Sequence, residues 1–355
     1  MTLIAGIMLI FTLVGCDVGE EDPRPPSGGV YIAGVYNNKA CYWKDGIRVD
    51  LPTSGSLAGS KATAIALAGP NVYVVGEDSS NDIYSSSACF WKNGKKTYLE
   101  GASAAVTAIT VAGSDVYLAG YSYIEDNNTY PSYRQVACYW KNGKRTNLQT
   151  SIGPSTSSQV YAIAVAGPDV YVAGEHRSYA SYTACYWKNG TRTMLAYPSH
   201  SRANAVTVAG SDVYFAGMYS DTDNYHFRAC YWKNGEQIDL PFPPLDEYYY
   251  VYINADAIAV AGADVYLAGS YSTILHEDAL DEESSVCYWK NGERINLEGF
   301  RAAAIAVAGP DVYIAGSYLG GDGERACYWL NGARIELSDE WSWATAITVV
   351  NPWAF

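Results

Sequence analysis

One triplet, Cys-aromatic-Trp, recurs seven times along the chain: Cys41-Tyr42-Trp43, Cys89-Phe90-Trp91, Cys138-Tyr139-Trp140, Cys185-Tyr186-Trp187, Cys230-Tyr231-Trp232, Cys287-Tyr288-Trp289 and Cys327-Tyr328-Trp329. Successive Trp residues stand 48, 49, 47, 45, 57 and 40 positions apart. A period of this size belongs to repeat architectures, in which each unit buries its apolar faces against its neighbours. Each triplet leads into a Lys-Asn-Gly-like turn, such as Lys92-Asn93-Gly94, and then a short segment ending in Leu. A second block, complete over Ala162 to Gly174, reads Ala-Ile-Ala-Val-Ala-Gly, then Pro or Ser, then Asp-Val-Tyr-Val-Ala-Gly.

A unit therefore holds four short apolar segments, a to d, which around Trp187 are Ala162–Ala166, Val170–Ala173, Ala184–Trp187 and Arg192–Leu195. Segments this short, punctuated by Gly, Asn and Asp, are strands rather than helices. Asn-Gly between c and d predicts a tight hairpin, because both central residues of such a turn need positive φ. Four-stranded antiparallel units repeated seven times predict an all-β, seven-bladed β-propeller. The two ends of the chain fit together in this scheme. Val30-Tyr31-Ile32-Ala33-Gly34 is a b strand without an a strand before it, and Ala346-Ile347-Thr348-Val349-Val350 is an a strand without a b strand after it. Pairing the C-terminal strand with the N-terminal blade closes the ring and removes an unpaired edge.

The cadence resembles the bacterial extracellular HAF repeats, which carry an aromatic-x-Trp-x-Asn-Gly hairpin followed by Leu. Tyr139-Trp140-Lys141-Asn142-Gly143 and Leu148 carry the likeness here, and it recurs through Val30–Val350. The chain departs from that pattern by adding the Val-Tyr-x-Ala-Gly strand and a regular Cys. The resemblance implies an exported, propeller-like repeat and transfers no binding residue.

Leu3 to Leu13 is almost wholly apolar, and Leu13-Val14-Gly15-Cys16 follows. The run is too short to span a bilayer as a helix and reads as a secretory signal. Met1-Thr2-Leu3-Ile4 lacks the basic residue with which such signals usually open. The tetrapeptide resembles the bacterial lipobox, which implies lipidation of Cys16 and a place in the cell envelope, at the surface or the periplasmic face. Residues 1–15 are then a signal peptide, 16–28 the lipidated Cys and a flexible tether rich in acids, Pro and Gly, and 29–355 the propeller.

The seven Trp residues read either as stacking platforms or as core between blades. Their presence in every unit points to the core, where each can bury roughly 150–250 Å². The repeat cysteines occupy equivalent positions in different blades, too far apart for disulfides, and read as small buried hydrophobes. Asp115, Asp169, Asp212, Asp264 and Asp311, with Asn71 in the same place, are expected to hold the a–b turn through their own following backbone.

Function is expected at the end of the ring that carries the variable b–c and d–a loops, since the a–b and c–d turns are short and uniform. A formal net charge of −14 argues against nucleic acid. The acidic excess collects in the variable loops, which favours cations and basic partners and repels phosphates and acidic glycans. Aromatics collect there too: Tyr123, Tyr130 and Tyr133, then Asp246, Glu247, Tyr248, Tyr249, Tyr250 and Tyr252, then Trp341 and Trp343. These are the candidate ligand-binding residues. Tyr and Trp give large contact area at low entropic cost, and with carboxylates they suit a glycan or a protein ligand. A solvated rim with loop-packing tyrosines is the competing reading.

No catalytic motif is legible. His176, His200, His226 and His276 stand singly, and no nucleophile elbow, zinc motif or phosphate loop occurs. No metal site or cofactor is expected. Asp221-x-Asp223-Asn224 and Asp281-Glu282-Glu283 are the places where calcium is conceivable, and neither matches an EF-hand loop. The leading expectation is a monomeric, lipid-anchored binding protein. A polysaccharide-active enzyme with two loop carboxylates and a constitutive scaffold subunit of an envelope complex are the alternatives.

Overall fold

The computed structural model describes residues 29–53, 59–79, 86–99, 104–125, 133–149, 157–178, 181–195, 200–220, 226–241, 250–274, 282–321 and 323–350. The expected signal, tether and lipidation site at Cys16 lie outside them, as do Tyr130, Asp246, Glu247, Tyr248 and Tyr249. The described residues are all-β, with 28 strands numbered β1 to β28 along the chain and no helix among them. The strands form antiparallel four-stranded sheets in the order expected from the repeat, a–b–c–d.

The a strands are β4 (Ser60–Ala68), β8 (Ala104–Ala112), β12 (Ser157–Ala166), β16 (Ser201–Ala209), β20 (Tyr250–Ala261), β24 (Arg301–Ala308) and β28 (Ser342–Val350). The last of these joins the beginning of the chain. β28 runs antiparallel to β1 (Gly29–Tyr36), with Gly29 opposite Val350 and Tyr36 opposite Ser342. β2 (Lys39–Lys44) and β3 (Ile47–Asp50) complete that sheet. Each a strand packs beside the next in chain order, and β28 packs beside both β24 and β4.

One sheet has eight strands, because β18 (Phe227–Lys233) and β20 are joined by a single parallel bridge, Phe227 to Tyr252. The cause is local. β20 begins at Tyr250, inside the stretch read above as a d–a loop, and the Phe227 and Tyr252 rings meet with centroids 5.4 Å apart. The stretch that carries Tyr123 and Tyr133, assigned above to the variable loops, is likewise partly strand. β9 (Asp115–Glu125) and β10 (Tyr133–Lys141) stay paired out to Glu125 and Tyr133. Tyr123, Tyr133, Tyr250 and Tyr252 thus sit on strands, not in loops. Aromatic and β-branched residues favour a pleated backbone, so these Tyr-rich stretches extend the sheets.

The core lies between units. All seven repeat Trp residues are buried, at 1% exposure or less, as are all seven repeat cysteines. Each Trp packs with residues of the preceding sheet; Trp187, for instance, meets Ala137, Leu148 and Ala119. Trp91, Trp187 and Trp329 also donate their indole N–H to the Pro52, Gln149 and Glu298 carbonyls beyond the preceding d strand, at 3.0, 2.7 and 3.2 Å. The cysteines are free thiols. Loss of hydration pushes those of Cys89, Cys138, Cys287 and Cys327 up to about 12, which keeps them protonated and unreactive.

The a–b and c–d turns form one end of each unit and are tied together there. The hairpin residues take the expected positive φ, for example 51° at Asn142 and 81° at Gly143. The Asn142 side chain accepts from the Val116 N–H at 2.9 Å and donates to Asp115 at 2.7 Å. Lys141 pairs with the other Asp115 oxygen at 2.7 Å. Equivalent clasps hold at Asp169, Asp212 and Asp264. The repeat Asp therefore bonds the neighbouring c–d turn, whereas a bond to its own following backbone was expected. That N–H is already taken by the hairpin Asn.

Candidate functional site

At the opposite end the a strands share an irregularity. In every one the pairing with its b strand shifts register around a single residue, and those residues are Thr63, Thr107, Tyr161, Asn204, Asp256, Ala303 and Thr345. A β-bulge of this kind leaves one residue unpaired and re-aims its side chain. The glycine of the Val-Tyr-x-Ala-Gly strand makes the bulge possible. A Cβ built on Gly34, Gly76, Gly120, Gly174, Gly217, Gly269 or Gly316 would stand 1.8–2.2 Å from a carbonyl oxygen of the a strand, two residues before the bulge. Only glycine lets the bulged backbone approach so closely.

Some of the re-aimed side chains clip one unit to the next. Thr345 Oγ1 donates to the Ala62 carbonyl at 2.9 Å and Thr63 Oγ1 to the Val106 carbonyl at 2.8 Å. Asn204 Nδ2 donates to the Ala255 carbonyl at 3.1 Å and to Asn254 Oδ1 at 2.8 Å. Three serines that open a strands reinforce the junctions. Ser60, Ser201 and Ser342 accept from the Ala40, Ala184 and Ala326 N–H groups of the preceding c strands at 2.8–3.0 Å.

Five a strands converge on one cavity of about 680 Å³ at this end. Thr63, Thr107, Tyr161 and Thr345 line it from bulge positions, Lys61, Arg301 and Trp343 from positions two residues before a bulge, and Glu324 and Trp341 from outside the a strands. Trp341 is 44% exposed and its ring meets that of Trp343 edge-on, with centroids 4.8 Å apart. Two tryptophans and a tyrosine thus stand among Thr, Lys, Arg and Glu side chains, in a cleft whose volume falls in the range of small-ligand sites.

The charged groups around this mouth are mixed. Glu175 is fully buried between Arg177 and Arg202, the latter at 2.9 Å, and Arg202 also lies over the Tyr182 ring at 4.6 Å. Gln159 accepts from Tyr161 and Arg177 at 2.9 and 2.8 Å. Burial raises the Tyr161 hydroxyl well above its ordinary range. Loss of hydration pushes the Asp256 carboxyl up to about 6, against the opposing pull of Arg301, the Asn254 amide and Arg202. The a strands extend beyond the short apolar segments read from sequence, and their loop-ward halves carry Lys61, Gln159, Arg202, Asn254 and Arg301. The cavity itself is lined by two cations and one carboxylate.

Of the candidate residues named from sequence, Trp341 and Trp343 line the cavity. Tyr123 is exposed on β9, its ring edge-on to Tyr121 at 5.9 Å. Tyr252 packs on Phe227, and Tyr133 and Tyr250 occupy strand positions opposite Glu125 and Ile274. Neither Tyr123 nor Tyr252 is among the residues lining the cavity. His226 is buried, with its Nδ1 accepting from the Val251 N–H at 3.1 Å, which is a structural role. Among the described residues no group of His, Cys, Asp and Glu is arranged to hold a metal ion. Sequence reasoning missed the bulge residues. Their signal is the varied residue inside an Ala-x-Ala or Val-x-Ala triplet, as in Ala62-Thr63-Ala64 and Val160-Tyr161-Ala162.

No protein-family model matches the chain, and no curated protein matches it. Solved structures resemble it in fold. Pyrococcus horikoshii acylaminoacyl peptidase superposes with a TM-score of 0.50 at 13% identity, over 90% of this chain and 52% of that one. A mutant of Trypanosoma rangeli sialidase displaying trans-sialidase activity gives 0.45 at 8%, over 86% and 57%. The polysaccharide lyase Uly1 gives 0.46 at 12%, over 90% and 89%. The chain spans about half the length of the peptidase and sialidase chains. At these identities the likeness is one of fold alone.

Proposed function

We propose that the chain is a closed seven-bladed β-propeller, held in a bacterial cell envelope by a lipid on Cys16, and that its axial mouth binds a glycan. The pairing of β28 with β1, and the packing of β28 beside both β24 and β4, support the closed ring. The observation that carries the binding reading is the ring of bulges. A uniform scaffold repeats its strands, turns, Trp and Cys, yet the residue that each bulge re-aims is Thr in three units and Tyr, Asn, Asp and Ala in the other four. Uniform framework with varied, partly exposed positions at one end is how binding surfaces are built on rigid folds. Trp341 and Trp343 supply flat apolar faces for sugar C–H groups, and Glu324, Tyr161 and the threonines supply hydrogen-bonding partners for hydroxyls.

A glycan array probed with the purified chain tests this. Saturable binding is expected, weakened about tenfold or more by Trp341→Ala, a loss of roughly 1.4 kcal/mol or more. Trp341 is exposed, so the melting temperature should hold. Binding to a protein partner with no glycan bound, or glycan binding indifferent to Trp341, contradicts the reading.

A glycan-active enzyme is the second reading, and Asp256 is the observation that favours it. A carboxyl near 6 beside the axis is the kind of group that serves as a general acid. Release of reducing ends from bound glycans, abolished by Asp256→Asn, would establish it; binding without turnover leaves the module a receptor.

A further inference from the structure

The residue two positions before each bulge also differs from unit to unit. Following the a strands in their packing order it is Arg301 on β24, Trp343 on β28 and Lys61 on β4. Since β28 packs between β24 and β4, an indole stands between two cations. All three line the cavity, with Glu324 and Trp341 nearby. Lys61 and Arg301 are exposed, and among the described residues neither holds an ion pair within salt-bridge distance. The third cation at this register position is occupied: Arg202 is taken by Glu175 and Tyr182. The acids facing the pair are Asp256, whose charge acts on Arg301, Glu77 opposite Lys61 in the β4 pairing, and Glu324, which accepts from Ser317 Oγ at 2.5 Å.

Resting on the glycan reading, we propose that the axial mouth takes an acidic sugar, its ring laid on Trp343 and its carboxylate held between Lys61 and Arg301. Aromatic faces bind the apolar side of a pyranose whatever its charge. Two unpaired cations flanking that face single out a ring that carries an anion, because charge-assisted hydrogen bonds are about twice as strong as neutral ones. Glu324 and Glu77 are left to accept hydroxyl donors. The chain's net charge of −14 opposes acidic ligands at long range, so the preference rests on short-range contacts with Lys61 and Arg301.

The test is titration calorimetry of the full chain against uronate- and sialate-terminated oligosaccharides and their carboxyl-reduced, neutral counterparts. Acidic members should bind about tenfold or more tightly than the neutral ones. Lys61→Gln and Arg301→Gln should each lower affinity for the acidic members by about tenfold and leave the neutral members unchanged, while Lys61→Arg restores the preference. Equal binding of acidic and neutral members overturns the acidic-sugar inference and leaves the glycan reading standing. Binding of neither, with the variants' melting temperatures unchanged, overturns both.

Discussion

Residues in this chain divide into those that repeat and those that do not, and each group has its own physics. Trp and Cys repeat because every junction between units has the same shape to fill. The indole supplies the volume, and the thiol fits where a larger side chain would overpack. Both roles are legible from recurrence alone. Asp256 does not repeat, and by sequence it falls at the end of a loop. Its raised carboxyl pKa has a definite sign. The folded state binds the proton more tightly than the unfolded chain, whose aspartate titrates near 3.9. Stability therefore falls as pH rises from about 4 to about 6 and stays lowered above that. Asp256→Asn should raise the melting temperature at pH 7 to 8 and lose that advantage below about pH 4. A carboxyl moved from near 4 to about 6 bounds the gain at about 3 kcal/mol, and water reaching the mouth reduces it. No gain at neutral pH in a pH series of thermal melts would show that the carboxyl keeps its ordinary hydration.

At the scale of the element, strand type and order are readable from sequence and strand length is not. Period, Gly punctuation and Asn-Gly turns locate each a–b–c–d set, and the turns take the geometry those dipeptides require. The loop-ward extensions are hard to see because an alternation such as Ser158-Gln159-Val160-Tyr161 resembles polar loop beside an Ala/Ile/Val run. The bulge is hidden for a related reason: its determinant is a glycine on the partner strand, about a dozen residues away. Gly174→Ala tests that account, since its Cβ would stand 2.0 Å from the Gln159 carbonyl oxygen. The backbone cannot yield there without breaking the β12 bulge, so a loss of at least about 2–3 kcal/mol in denaturant unfolding is expected. An alanine at Gly113, where nothing lies within 4 Å of the added Cβ, sits at φ 60°. It should be penalised only by its backbone strain, about 1–2 kcal/mol. Equal losses at the two positions would remove the close-approach argument.

For the whole molecule, the reading depends on the two ends of the described chain meeting. Unit 1 has no a strand of its own, and β28 lends it one across roughly the full length of the described chain, with Thr345 reaching on to the Ala62 carbonyl at 2.9 Å. Long-range pairing of this kind makes the units interdependent in a way that an open array, stabilised by nearest neighbours alone, is not. The complementary half-units are visible in the sequence. The cavity is not, because it is assembled from one or two residues of each of several distant strands, and no spacing along the chain records that. The most direct measurement is equilibrium unfolding of the chain lacking residues 342–355, beside a chain lacking residues 17–26. Loss of β28 should abolish the single cooperative transition or shift it to much lower denaturant, and removal of 17–26 should leave it unchanged. A chain without β28 that unfolds at the same midpoint, with the same cooperativity, would contradict the closed ring and with it the shared axial site.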